Sequence, residues 1–136
     1  KIASLHGLFL LKFNAWLDRN AKTSKDAEDM SFIFSNYFLA NLEREIHQEV
    51  YDWENFDDYI VGGYWLAYDI VALLNKEQLC YYKEIIEGEL AKEEESRLLN
   101  QMIENSHDLK YETVRDTWRA VVGVFQKAID DESEEV

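Results

Sequence analysis

An all-α fold is what this sequence predicts, and three observations predict it. The 136 residues contain no proline and only five glycines, so few points force a break or a tight turn. Apolar residues recur three and four apart in successive long stretches, the spacing of one helix face. Hydrophobic residues make up 47% and aromatics 14%, enough for one domain with a real core. The expectation is about five helices in an irregular bundle with no sheet. They fill residues 1–129, and an acidic disordered tail follows at 130–136.

Lys1 to Ala3 reads as a short lead-in cut from something longer, with Ile2 and Ala3 as the end of a strand. Ser4 is placed to cap the first helix, which runs from Leu5 to about Asn20. Leu5, Leu8, Phe9, Phe13, Trp16 and Leu17 form its inner face, and Leu10 and Leu11 widen that stripe. A stripe so wide expects cover on two sides, from a domain outside this chain or from a second copy in a homodimer. Thr23 to Asp26 makes a weak capping box, with Ser24 as the other cap, for a second helix over about Lys25 to His47. Met30, Ile33, Phe34, Tyr37, Phe38, Leu42 and Ile46 keep helical spacing there. Gln48 to Asp58 is an acidic, aromatic loop. Asp57 or Asp58 caps a third helix, about Tyr59 to Leu74, with Ile60, Tyr64, Leu66, Ala67, Ile70, Val71 and Leu74 available for the core. Gly62 and Gly63 inside it each cost about 1 kcal/mol relative to alanine. Such a pair implies close approach of a neighbouring backbone, or a later helix start. Asn75 to Gln78 repeats the cap-and-glutamine signal and opens a fourth helix at Lys76. That helix reaches Ser106 or breaks near Gly88, and Glu87 to Arg97 reads as a solvated charged stretch. Asp108 caps a fifth helix, Leu109 to Ile129, where Val114, Trp118, Val121, Val122, Phe125 and Ile129 repeat.

The formal net charge is −14, which argues against nonspecific nucleic-acid binding over the whole surface. Residues 1–25 carry five cations and one anion, a net +4, so the rest of the chain carries −18. A basic patch on an acidic body suits a local phosphate contact, or pairs with that body. A single cysteine, Cys80, excludes an internal disulfide framework and a cysteine-based zinc site, and suits a cytoplasmic location. It reads as a small core residue. No apolar run near the N-terminus is long enough for a bilayer, so no membrane partner is expected. His6, His47 and His107 lie on separate elements. Glu104 and His107 form one Glu-x-x-His, where a di-metal bundle needs two.

One constellation carries chemistry. Lys12 is set among Leu8, Phe9, Leu10, Leu11 and Phe13. Arg19 lies two turns on and shares its face, with Trp16 between. After a polar link, Asn20 to Lys25, Asp26 and Asp29 follow at i and i+3. Two cations on a hydrophobic helix, answered by two carboxylates after a tight turn, suggest a built polar site. The plainer alternatives are a snorkelling Lys12 and an Arg19 bridge to Asp26 or Asp29 across the turn.

The residues LKFNAWLDR (Leu11 to Arg19) and KDAEDMSFIFSNY (Lys25 to Tyr37) resemble the C-terminal helical half of nucleotidyltransferases in the DNA polymerase β-like superfamily, among them the abortive-infection (AbiE-type) toxin group of toxin–antitoxin systems. The family's Lys-x-x-Ala-x-x-Asp-Arg helix is matched by Lys12, Ala15, Asp18 and Arg19. Its Lys-Asp-x-x-Asp helix start is matched by Lys25, Asp26 and Asp29. YIVGGYWLAYDIVALL, Tyr59 to Leu74, is similar to the family's next helix. The resemblance covers about residues 4–75. It implies transfer of a nucleoside monophosphate from a nucleoside triphosphate. Lys12 is then a catalytic contact to the triphosphate, and Asp26 an active-site carboxylate or an anchor. Lys12, Arg19 and Lys25 bind substrate, Arg19 pairs with Asp29, and Asp18, Asp29 and Trp16 give support. In such enzymes an N-terminal domain with a Gly-Ser signature and an Asp-x-Asp pair holds magnesium. Neither motif occurs here. Magnesium is therefore expected only in a full-length protein, with the fragment inactive alone.

A competing function rests on Tyr51 to Tyr59, where tyrosine, tryptophan and carboxylates make a surface for a basic protein. A small acidic immunity or antitoxin-type protein that blocks a basic nuclease or toxin has that character.

Overall fold

The computed structural model describes residues 4–134, and the expected strand end at Ile2 and Ala3 lies outside them. The described residues form six α-helices and no strand: α1 (Leu5–Arg19), α2 (Lys25–Ala40), α3 (Asp58–Val71), α4 (Lys76–Ala91), α5 (Arg97–Ile103) and α6 (Tyr111–Glu134). Two 3₁₀ turns, Gln48–Asp52 and Glu93–Glu95, lie in the links. The helical class stands. The count rises because the expected fourth helix is two.

The core is aromatic. Trp118 of α6 is fully buried, and its ring meets Phe34 at 5.1 Å, Phe13 at 5.7 Å and Phe9 at 5.9 Å. One ring thus ties α1, α2 and α6 together, and truncating such a tryptophan to alanine costs about 3–5 kcal/mol. α3 runs through the middle, buried on most sides, and packs mainly on α2 and α6. Gly62 and Gly63 explain how it gets so close. A Cβ at Gly62 would lie 2.2 Å from the Phe34 carbonyl oxygen, and one at Gly63 would lie 2.2 Å from Thr117 Cγ2. The glycine pair is the crossing point, as its cost inside a helix implied.

The caps follow the sequence in part. Ser4 Oγ accepts from the Gly7 amide at 3.1 Å, and Asp57 accepts from the Tyr59 and Ile60 amides. Asn75 and Gln78 close a reciprocal capping box. The Thr23–Asp26 box does not form, because Asp26 turns toward Arg19. Ser24 starts α2 but gives its hydroxyl to Glu28. Asp108 lies exposed in the link before α6, whose first residue is Tyr111.

α2 stops at Ala40 instead of continuing to His47. Asn41 donates its side-chain amide to the Tyr37 carbonyl at 2.8 Å and ends the ladder. Leu42 and Ile46, expected in the core, are 55% and 60% exposed. α4 passes through Gly88 intact and ends at Ala91, where Glu93 takes a positive φ of 53°. Glu87 to Arg97 is not uniformly solvated. Glu89 is buried and accepts from Ser96 Oγ (3.0 Å), the Leu98 amide (3.1 Å) and Lys92 Nζ (2.7 Å). A carboxylate that satisfies the first turn of the next helix makes the sharp α4–α5 corner. α6 runs on through Asp130 to Glu134, past the expected helix end at Ile129 and into the segment assigned to a tail. No helix among the described residues is long and apolar enough to cross a membrane.

Candidate functional site

α1 and α2 are an antiparallel hairpin joined by Asn20 to Ser24. That geometry decides which cation meets which carboxylate. Arg19, at the loop end of α1, reaches Asp26, at the loop end of α2. Its Nε lies 2.7 Å from Oδ2 and its Nη2 lies 2.8 Å from Oδ1, a bidentate pair. Lys12, two turns back along α1, reaches Asp29, one turn on along α2, at 2.8 Å. Lys25 approaches the other oxygen of Asp29 at 3.6 Å. Of the two bridges open to Arg19 across the turn, the one to Asp26 forms; the expected Arg19–Asp29 pair does not, because Asp29 lies farther from the turn and meets Lys12 instead.

Burial differs across the site. The Asp26 carboxylate is fully buried while Arg19 is half exposed. Lys12 and Asp29 are about equally half-buried, and Lys25 is mostly in solvent. The Arg19 hydrogen bonds hold the Asp26 carboxyl below its ordinary value. Burial pushes the other way, and the charges of Arg19, Lys12 and Lys25 add to the lowering. With both oxygens bound to Arg19, Asp26 is fitted to anchor the guanidinium rather than to take a proton. Arg19 still presents Nη1, with two N–H donors, at its exposed end.

Trp16 does not stand between the cations. It is buried, and its Nε1 donates to Gln101 of α5 at 2.7 Å. Gln101 in turn donates to the Asn20 carbonyl at 2.8 Å, so α5 props the end of α1 that carries Arg19. Asp18 is exposed and acts on Arg19 only through space. Neither carboxylate of the hairpin is free for magnesium. Asp26 and Asp29 are taken up by cations, and no group of three or more histidine, cysteine or acidic side chains among the described residues is disposed for a metal. Glu104 and His107 are exposed near the α5–α6 link, and Cys80 is half-buried against the core.

A second polar cluster was not anticipated. Asp69 of α3 receives both Arg44 Nη1 (3.0 Å) and Nη2 (3.1 Å), and the Tyr37 hydroxyl donates to it as well. Arg44 is nine-tenths buried and lies 5.3 Å from the centre of the Trp65 ring. A signal was present: Asp69 is the one charged residue between Tyr59 and Leu74, so it needed a partner. The cluster fixes the chain after α2, and thereby the far end of the helix that carries Asp26 and Asp29.

The Tyr51 to Tyr59 segment turns much of its aromatic surface inward. Tyr59 is buried and bonded to Ser31 at 2.9 Å, and Trp53 packs edge-on to Tyr64. Tyr51 and Phe56 stack on each other and stay 49% and 40% exposed. No protein-family model, curated protein or solved structure matches the chain.

Proposed function

We propose that this chain is the nucleotide-side helical half of a nucleotidyltransferase, with the α1–α2 hairpin meeting the triphosphate. The observation that supports this reading is the placement of Lys12. Its ammonium is held 2.8 Å from Asp29 and its side chain is 29% exposed, so the charge is fixed in place yet reachable from one side. An ammonium has three donors, and one ion pair leaves two for phosphate oxygens. Lys25 and the outer edge of Arg19 lie close by, so three cations gather against Asp26 and Asp29 on a protein that is acidic as a whole.

As a nucleoside monophosphate passes to an acceptor, the bond to pyrophosphate breaks and negative charge grows on the departing oxygens. A cation already oriented there stabilises that charge without reorganising. Asp29 positions Lys12, and Asp26 positions Arg19. Magnesium, which neutralises the triphosphate in this chemistry, belongs in the proposal to the unit with the Gly-Ser and Asp-x-Asp motifs, so this chain alone transfers no nucleotide.

The test is a titration of the chain with ATP followed by backbone amide shifts. Shifts confined to α1 and the start of α2, and lost in Lys12→Gln, support the reading. Shifts spread over the molecule, or unchanged in that variant, contradict it.

A further inference from the structure

A cavity whose lining does not include Lys12 has the opposite chemistry. It is an open cleft of about 1000 Å³ between α2, the start of α3, and the α5–α6 link. Glu28, Asp58 and Asp108 stand on its rim, and Asp57 beside them caps α3. No lysine or arginine lines it. Its apolar surface is unusually open: Phe32 on α2 is 68% exposed, and Phe56 on the other side is 40% exposed. Phe32 lies in mid-helix with most of its ring in solvent, and Phe56, which packs on Phe38 and Tyr51, leaves the rest of its ring facing the same cleft.

Those features select an occupant. Carboxylates without a local cation repel phosphate and nucleic acid and attract cations. Aromatic faces favour an aliphatic or aromatic anchor and also accept a guanidinium. The volume suits several side chains rather than a single ion.

We propose that this cleft docks a basic peptide segment of a partner protein, with arginines or lysines flanking an apolar anchor that sits on Phe32 and Phe56. The rim carboxylates pair with the flanking cations, and the rings bury the anchor. The cleft shares α2 with the hairpin, but none of Lys12, Arg19, Lys25, Asp26 and Asp29 lines it, so either reading can fail without the other.

The test uses a fluorescent acetyl-Arg-Phe-Arg-Leu-Arg-amide peptide and fluorescence anisotropy. The triple variant Phe32→Ser, Asp58→Asn, Asp108→Asn should weaken binding at least about tenfold, the scale of losing an anchor and its charged rim. The same peptide with glutamate for arginine should not bind. Because any cation is drawn to a chain of net charge −14, the control removes two charges elsewhere, on α4, with Glu84→Gln and Glu87→Gln. That variant should bind as the wild type does. Equal weakening in both variants, or no binding to either, overturns the proposal. So does light scattering that shows a wild-type dimer, abolished by Phe32→Ser, with no peptide binding, since the occupant is then a second copy. ATP-induced shifts in α1 should be unchanged in the triple variant.

Discussion

Substituting alanine at each helical glycine separates packing from helix propensity, and the structure predicts opposite signs. At Gly62 the new methyl would lie 2.2 Å from the Phe34 carbonyl oxygen, which is held in the α2 ladder and cannot rotate aside. α2 and α3 must move apart. Overpacking of this kind costs about 1–3 kcal/mol, and more where backbone has to yield. Alanine recovers about 1 kcal/mol of helix propensity. The net expectation is a loss of about 2 kcal/mol, near the upper part of the overpacking range less that gain. Gly63→Ala meets Thr117 Cγ2, also at 2.2 Å, on a fully buried β-branched side chain that is hydrogen-bonded to Thr113, so it is expected to behave alike. At Gly88 and Gly123 nothing lies within 4 Å of the built Cβ. There alanine should stabilise by about 0.4–1 kcal/mol through the unfolded chain. For a domain of this size 1 kcal/mol moves Tm by about 4 °C. Gly62→Ala should therefore lower Tm by about 8 °C, while Gly88→Ala raises it by up to about 4 °C. Thermal unfolding followed by far-ultraviolet circular dichroism reads both. If Gly62→Ala melts at or above Gly88→Ala, the close α2–α3 crossing is wrong.

Other consequences concern the buried carboxylates. Glu89→Ala leaves the Leu98 amide and Ser96 hydroxyl without their acceptor, and urea unfolding should show a loss of about 1–3 kcal/mol. Burial pushes the Glu89 carboxyl up, but its Lys92, Leu98 and Ser96 hydrogen bonds outweigh it and leave the group below its ordinary 4.5. Asp26 is held below 3.8, chiefly by Arg19. A depressed carboxyl adds stability at neutral pH that disappears as pH falls through the lowered value. Wild-type stability should hold from pH 7 to about 5 and fall steeply below 4, and Asp26→Asn should flatten that acid limb. A limb unchanged in Asp26→Asn would place the acid sensitivity elsewhere. Arg19→Lys loses the two-pronged geometry. The Asp26 carboxyl should titrate closer to 3.8 in that variant, read by carbon NMR.

Much of the fold could be read from spacing. Phe9, Phe13 and Trp16, and then Val114, Trp118 and Phe125, kept helical period and are buried. Where spacing misled, a polar group had overridden it. Leu42 and Ile46 continued the α2 pattern, but Asn41 ended the helix and Arg44 turned inward to Asp69. Glu89 sat in a run of charges whose spacing looked solvated, and only the fold reveals a corner that needs an acceptor there. Arg19 and Asp26, and Lys12 and Asp29, were visible as a set. Their pairing was not, since it depends on how far each residue lies from a turn whose geometry the sequence leaves open. The Phe32–Phe56 cleft was invisible, because its walls come from three stretches of chain far apart in sequence.

The place of Lys12 as a phosphate contact can be decided by calorimetry with inorganic tripolyphosphate in low salt. Lys12→Gln should weaken binding about tenfold, equivalent to 1.4 kcal/mol, while the fold and Tm stay close to wild type. Lys12→Arg should retain most of the affinity. Equal affinity in wild type and Lys12→Gln would contradict a polyphosphate role for this hairpin and leave Lys12–Asp29 as a structural ion pair.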